Sequence, residues 1–438
     1  MLKLDDKIRD RSARIGIVGL GYVGLPLAVA FSEAGFNVLG FDIQQQRVDK
    51  VNEGKSYIAD ISDTCLSSVL RAHKLEATVN QNRLAEMDAI CICVPTPLTK
   101  TREPDLSYVI SEAEEISVRL REGQLVVLES TTYPGTTREV LLPILEKSGL
   151  QGDSDFFLAF SPERVDPGSR DYNMKNTPKV VGGINDKSTD MATLLYQQVA
   201  NTVVPVSCPE VAEMTKVFEN VFRSVNIALV NELAQLCEKM NISVWQVINA
   251  ASSKPFGYMP FYPGPGIGGH CIPLDPYYLA SKAREFDFHT RFIELAAEIN
   301  EHMPYYTVEH IMESLNRRGK SLNGANIFVL GVAYKKDVAD TRESPALKIV
   351  QLLENKEARL TYNDPYVPQI QLAHHTLNSV EITETNLSST DCVVIATDHS
   401  CYDLSDIADK ASLLFDTRGA TCDLKQENIE RLGEGKRF

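Results

Sequence analysis

The sequence predicts an α/β protein: two Rossmann-like, doubly wound domains joined by a long-helix central helical domain. Three observations carry this. A β-branched run at residues 14–19 leads into a glycine-rich turn and then an apolar helical pattern. From Pro209 the chain runs for about thirty residues without a helix breaker. From "GANIFVLGVAYKKDVADTRESPALKIVQLLE" the strand–helix alternation returns. The expected boundaries are 1–205, 206–318 and 319–438.

The first segment, "ARIGIVGLGYVGLPLAVAFSEAGFNVLGFD", places Gly19, Gly21 and Gly24 in a G-x-G-x-x-G turn between a strand and a helix ending near Ala34. A second strand finishes at Asp42. Gly19 permits the tight turn, Gly21 lets backbone approach a pyrophosphate, and Gly24 lets helix pack on strand. The helix N-terminus then faces the phosphates. Asp42 suits both ribose hydroxyls and would repel a 2′-phosphate, so the expected cofactor is NAD rather than NADP. Pro26 falls in the tolerant first turn. Strand-like runs at 88–94, 124–130, 156–161, 178–183 and 202–206 extend a parallel sheet.

The long helix is apolar around much of its circumference, which points to burial against other helices or a second subunit. More helix is expected to about residue 318. Beyond it, strands fit at 358–363, 391–396 and 412–416, with a strand ending at Gly331 and a helix from Ser344. This part lacks the glycine triplet, so a second dinucleotide is not expected. Lys335, Lys336 and Arg342 in its first loop suit another phosphate-bearing ligand, or simply a solvated basic loop.

The 438 residues carry a net charge of −15, which argues against nucleic acid or anionic membrane as the general partner. No apolar run reaches membrane-span length, and the N-terminal stretch shows no signal-peptide core. Nine scattered cysteines fit reduced thiols, hence a cytoplasmic location. Cys91 and Cys93 alternate with isoleucines and read as fillers of a buried strand.

"PGPGIGGHCIPLDPYY" holds Cys271, which one turn before a helix N-terminus is favoured as a thiolate. Asp275 followed by Pro276 reads as N-cap and first helical residue. Gly264, Gly266 and Gly268 leave room for a ligand. No second Cys or His stands at ligand spacing from His270, so no metal is expected. Lys216 and Asn220, four apart, share a helix face; the lysine either snorkels to solvent or faces a developing oxyanion.

Read together, "GLGYVGLPLA", "VPTP", "ESTTYPGTT", "SPERVDPG", the Lys216–Asn220 pair, "GPGIGGHCIPLDP" and "GVAYKKDVADTRESPAL" resemble the UDP-glucose/GDP-mannose dehydrogenase family nearly end to end. The resemblance implies two NAD reduced per sugar, with Cys271 carrying a thiohemiacetal and then a thioester. It implies that Lys216 and Asn220 stabilise the C6 oxyanion, that Asp275 positions or activates water, and that Thr131 and Glu163 assist the proton network. It assigns NAD contacts to Gly19, Gly21, Tyr22, Val23 and Gly24, with Asp42, Arg47, Thr96, Thr131 and Arg342. UDP-sugar contacts fall to Glu163, Arg164, Lys216, Asn220, Lys335 and the 261–268 loop with Phe261, Tyr262, Gly264, Gly266 and Gly268. It also implies a homodimer in which Arg291 reaches the neighbouring active site.

Where the UDP-glucose branch has a lysine after the cysteine, this chain has Leu274, and His270 precedes the cysteine. Both resemble the UDP-N-acetylhexosamine branch, most closely its UDP-N-acetylglucosamine 6-dehydrogenases. UDP-GalNAc, UDP-ManNAc and UDP-glucose stand as alternatives, since sugars inverted at one hydroxyl are not separated by these motifs. The β-hydroxyacid dehydrogenases share the Lys-x-x-x-Asn pair but need neither the cysteine nor a third domain. A non-catalytic nucleotide-sugar or NAD sensor is disfavoured because Lys216, Asn220, Cys271 and Asp275 are all retained.

Overall fold

The computed structural model describes residues 3–58, 60–99, 102–165, 172–269, 272, 274–373 and 375–435. Its described chain divides into two compact units: residues up to Glu219 together with Tyr277–Phe288, and Asn220–Pro276 together with His289 onward.

The first unit is built on eight strands: β1 (Arg14–Val18), β2 (Asn37–Phe41), β3 (Leu75–Thr78), β4 (Ala89–Ile92), β5 (Leu125–Leu128), β6 (Phe157–Phe160), β7 (Lys179–Gly183) and β8 (Val203–Val206). They lie in the order β3-β2-β1-β4-β5-β6-β7-β8. The order reverses at β1, so the crevice between the loops after β1 and β4 is where an open α/β sheet takes a ligand. The β1, β4 and β5 runs are apolar on both faces because helices cover both sides. Cys91 and Cys93 are part of that packing, as expected, and burial pushes both thiols up.

Two expectations for this sheet need correction. It is not wholly parallel: β6 and β7 pair antiparallel. The edge strand β3 was not foreseen, because "LEAT" alternates apolar and polar over only four residues.

In the second unit β9 (Asn326–Leu330), β10 (Arg359–Asn363), β13 (Cys392–Ile395), β14 (Leu414–Asp416) and β15 (Ile429–Arg431) form a parallel sheet in the order β10-β9-β13-β14-β15. The short antiparallel pair β11 (Gln369–Gln371) and β12 (Thr376–Asn378) stands apart. Three strands were not foreseen, β11, β12 and β15; each is three residues long, as is β14, which lies within the expected 412–416 run.

The long helix spans Pro209–Lys239, 31 residues. A stripe along it at helical spacing leaves Met214, Phe218, Phe222, Leu229 and Leu236 between 41% and 62% exposed. A second long helix, Arg291–Arg317, contains Pro304. Asp275 is the first residue of the helix Asp275–Arg284 rather than its N-cap, one position from the expectation.

Candidate active site

In the first unit the glycine turn meets the three requirements set by its spacing. Gly19 has φ +90° and donates its N–H to Phe41 O at 2.8 Å. A Cβ on Gly24 would lie 1.8 Å from Gly19 O, whereas one on Gly21 would meet nothing within 4 Å. Two glycines are therefore required by the protein's own backbone, and the third faces open space where a pyrophosphate fits. Asp42 is buried; one carboxylate oxygen accepts from Leu20 N–H (3.0 Å) and the other from Gln44 N–H (2.9 Å). Arg47 stands 3.4 Å from Asp42 and lies over the Tyr57 ring. Tyr57, unforeseen, closes the loop by donating to Leu20 O at 2.6 Å. Tyr22 is 46% exposed and Val23 is the N-cap of the helix Gly24–Glu33.

The loops after β4 and β5 are tied together. Thr96 Oγ1 donates to Thr131 O at 2.7 Å, and the Tyr278 hydroxyl donates to Thr96 O. The neighbouring Thr132 is fully buried, and its hydroxyl has no partner among the described residues. After β6, Glu163 Oε1 accepts from the N–H groups of Arg164 and Val165, both at 2.7 Å. Arg164, expected on the substrate, is engaged by protein: it pairs with Glu219 at 2.5 Å and donates to Pro178 O at 2.6 Å.

Lys216 is half-buried, without an ion-pair partner among the described residues. One turn earlier Glu213 anchors the helix. It accepts from Gly135 N–H (2.6 Å), Thr137 N–H (2.8 Å) and Thr137 Oγ1 (2.7 Å), and burial pushes its carboxyl up to about 7. This anchor was not visible in the sequence, where Glu213 is one more acidic residue on a helix.

In the second unit Asn220 Nδ2 donates to Asp275 Oδ2 at 2.5 Å, and both residues are buried. The structure thus joins two predicted site residues 55 positions apart. Cys271, with His270, lies outside the described residues. The loop before it is tethered by a buried amide chain: Gly264 N–H to Asn231, Asn231 to Asn300, Asn300 to Ser224 O.

The glycines of this loop were expected to leave room for a ligand; instead they fit against protein. A Cβ on Gly266 would come within 3.2 Å of Asn300 O, and one on Gly268 within 2.6 Å of Tyr334 Cβ. Phe261 packs edge-on to Phe222, and Tyr262, 51% exposed, stacks on Trp245. Of the basic loop residues, Arg342 is paired with Asp340 (2.6 Å) and Lys336 with Asp398 (3.2 Å), while Lys335 is half-buried. Arg291 is exposed at the start of its helix. Among the described residues no group of three or more His, Cys, Asp or Glu is placed to hold a metal. No helix is long and apolar enough to cross a membrane.

Comparison with known proteins agrees with this geometry. Residues 13–200 match the UDP-glucose/GDP-mannose dehydrogenase family, NAD binding domain, residues 210–302 its central domain, and residues 328–423 its UDP binding domain. A UDP-N-acetyl-D-mannosamine dehydrogenase from Pyrococcus horikoshii is 38% identical over 88% of this chain and 89% of its own. A UDP-N-acetyl-D-glucosamine 6-dehydrogenase from Pseudomonas aeruginosa is 34% identical over 89% and 91%. A solved UDP-D-ManNAc dehydrogenase from Pyrococcus horikoshii superposes with TM-score 0.87 at 34% identity, covering 96% of this chain and 99% of the other. With an NAD binding domain whose glycine turn and Asp42 fit the cofactor, the chain belongs to the UDP-glucose/GDP-mannose dehydrogenase family.

Proposed function

We propose that the protein oxidises the C6 hydroxyl of a UDP-N-acetylhexosamine to the carboxylate in two successive two-electron steps at one site. The observation that carries this reading is the buried Asn220–Asp275 hydrogen bond, four residues after Cys271 in sequence. NAD, when bound at the glycine turn, supplies the hydride acceptor for each oxidation. Lys216 and Asn220 stabilise negative charge on the C6 oxygen. The Cys271 thiolate adds to the C6 aldehyde, a C–S bond forms and the oxygen takes a proton, giving a thiohemiacetal. Loss of a second hydride and that proton leaves a thioester. Asp275, one oxygen held by Asn220, orients water onto it. Thr131 and Glu163 move the water's protons, the C–S bond breaks, and the thiol and carboxylate are released.

In this reading residues 1–205 hold NAD through Gly19, Gly21, Tyr22, Val23, Gly24, Asp42, Arg47 and Thr96. Residues 206–318 form the spine, and 319–438 take the UDP moiety through Lys335, with Arg342 reaching the cofactor. The exposed apolar stripe on the long helix supports a homodimer, and the exposed Arg291 supports its role in the neighbouring site. A cytoplasmic enzyme fits the free cysteines.

His270 and Leu274 favour UDP-GlcNAc. UDP-ManNAc is the second reading, favoured by the 38% identity to the Pyrococcus horikoshii enzyme of that name. One experiment tests both: purified protein with NAD and, in turn, UDP-GlcNAc, UDP-ManNAc, UDP-GalNAc and UDP-glucose. Two NADH per sugar are expected with an N-acetylhexosamine, and Cys271→Ser should stop short of the acid. Full four-electron turnover by that variant would remove the covalent role of Cys271; preference for UDP-glucose would overturn the substrate class.

A further inference from the structure

The first unit buries a charge cluster that the proposed chemistry does not use. Lys179 on β7 is 4% exposed, Glu129 just past β5 is 1% exposed, and Tyr196 is fully buried. Lys179 Nζ donates to Glu129 Oε2 (2.5 Å) and to Pro162 O (3.0 Å). The Tyr196 hydroxyl donates to the other oxygen of Glu129, and its ring lies 5.1 Å from the ammonium. A buried ion pair is a weak stabiliser compared with apolar packing of the same volume. A second carboxylate sits within reach of this cation. Glu163 Oε2 is 3.8 Å from Lys179 Nζ, enclosed, and without a hydrogen-bond partner among the described residues.

The geometry of Glu163 is set from both sides. Its Oε1 is fixed by two backbone N–H groups, which aims Oε2. At 3.8 Å Lys179 is too far for a direct hydrogen bond, yet close enough to attract that oxygen electrostatically. Ser161 Oγ and Thr132 Oγ1 are also buried without partners. All three orphaned atoms leave the C-terminal ends of β5 and β6, the edge where α/β sheets bind ligands. The other charged or titratable groups near Glu163 are Glu129, the Arg164–Glu219 pair and Cys93, whose thiol burial pushes up. Lys179 is the cation in ion-pair reach of Glu163 among the described residues.

We propose that Lys179 is a positioning residue for Glu163: the ammonium, held by Glu129 and Tyr196, keeps the second oxygen of Glu163 aimed as a proton acceptor. The inference rests on Glu163 taking part in the proton steps proposed above.

The test is kcat for carboxylate formation in wild type, Lys179→Met, Lys179→Arg and Glu163→Gln, with KM for the sugar and Tm measured in parallel. Lys179→Met is expected to lower kcat about tenfold or more while KM stays within about twofold. Lys179→Arg is expected to recover most of that loss, and Glu163→Gln to lower kcat at least as far as Lys179→Met. Should Lys179→Met fail to fold, Lys179→Met/Glu129→Gln removes both buried charges and carries the same expectation. If Glu163→Gln keeps the wild-type kcat, Glu163 has no proton role and the inference falls with it. If Glu163→Gln loses kcat while the Lys179→Met variants keep it, the role of Lys179 alone is overturned.

Discussion

The turn after β1 and the turn after β9 occupy the same place in two sheets of like order, and they use it differently. In each, a glycine directly follows the first strand with positive φ: Gly19 at +90° and Gly331 at +77°. Each donates its N–H to the last residue of the neighbouring strand, Phe41 or Asn363, at 2.8 Å. In each, the next residue along that neighbour is a buried aspartate accepting from the turn. Asp42 takes one N–H there, from Leu20. Asp364 takes two, from Val332 (2.8 Å) and Ala333 (3.0 Å). His399 lies against the same Asp364 oxygen at 3.0 Å, and Tyr366 and Val367 N–H groups fill the other. A carboxylate offers about four acceptor sites. Asp364 is saturated by protein, whereas Asp42 keeps capacity for a ribose. The glycine that makes the turn is common to both loops; the open one at position 21 belongs to the first alone. The same turn-and-aspartate frame thus occurs twice, with an aspartate left open in the first and one saturated by protein in the second.

This contrast predicts unequal mutants. Asp364→Ala strands several buried N–H donors and is expected to cost about 3 kcal/mol or more, read by chemical denaturation. Asp42→Ala is expected to cost about 1–2 kcal/mol while raising KM for NAD at least tenfold. Equal destabilisation would break the comparison.

The glycines sharpen it. Gly24→Ala forces a Cβ to 1.8 Å from Gly19 O and is expected to lower Tm by several degrees. Gly21→Ala meets nothing within 4 Å, so Tm should hold while NAD affinity, measured by calorimetry, drops about tenfold or more.

The smallest effect is in pH, and its sign differs between the units. Burial raises the Asp364 carboxyl, but hydrogen bonds from His399 and from the Ala333 and Val332 N–H groups outweigh it and hold it below the usual range. Its contribution is present above the unfolded aspartate pKa and lost as pH falls through the lower folded value. Glu213 in the first unit is pushed by burial up to about 7. The folded state then binds more protons than the unfolded state, so stability is fully present below the ordinary glutamate range and declines as pH rises toward 7. Hydrogen exchange followed by unit should show the second unit weakening in acid. The first should weaken between about pH 5 and 7, a slope that Glu213→Gln abolishes.

The elements legible in the sequence share one property: their cause is local. The strand–glycine–helix–strand–aspartate unit and the 31-residue helix follow from turn chemistry and helical periodicity within their own windows. What was not legible depends on partners far along the chain. The reversal at β7 leaves no local trace, since a strand reads alike in either direction. The segment "LEAT" becomes a strand because β2 offers it a parallel edge. The glycines at 266 and 268 looked like space for a ligand because composition does not reveal that Asn300 and Tyr334 fill it.

By itself, then, the sequence determined the α/β class, the open dinucleotide turn and the motifs that carry the family resemblance. Those depend on backbone conformation and on residue types at short spacing. Only the tertiary structure decided that Asn220 holds Asp275, that Lys179 stands between Glu129 and Glu163, and that His399 lies against Asp364. Each is a contact between polar groups 16 to 55 residues apart, buried together because a polar group removed from water must find its partner wherever the fold brings one.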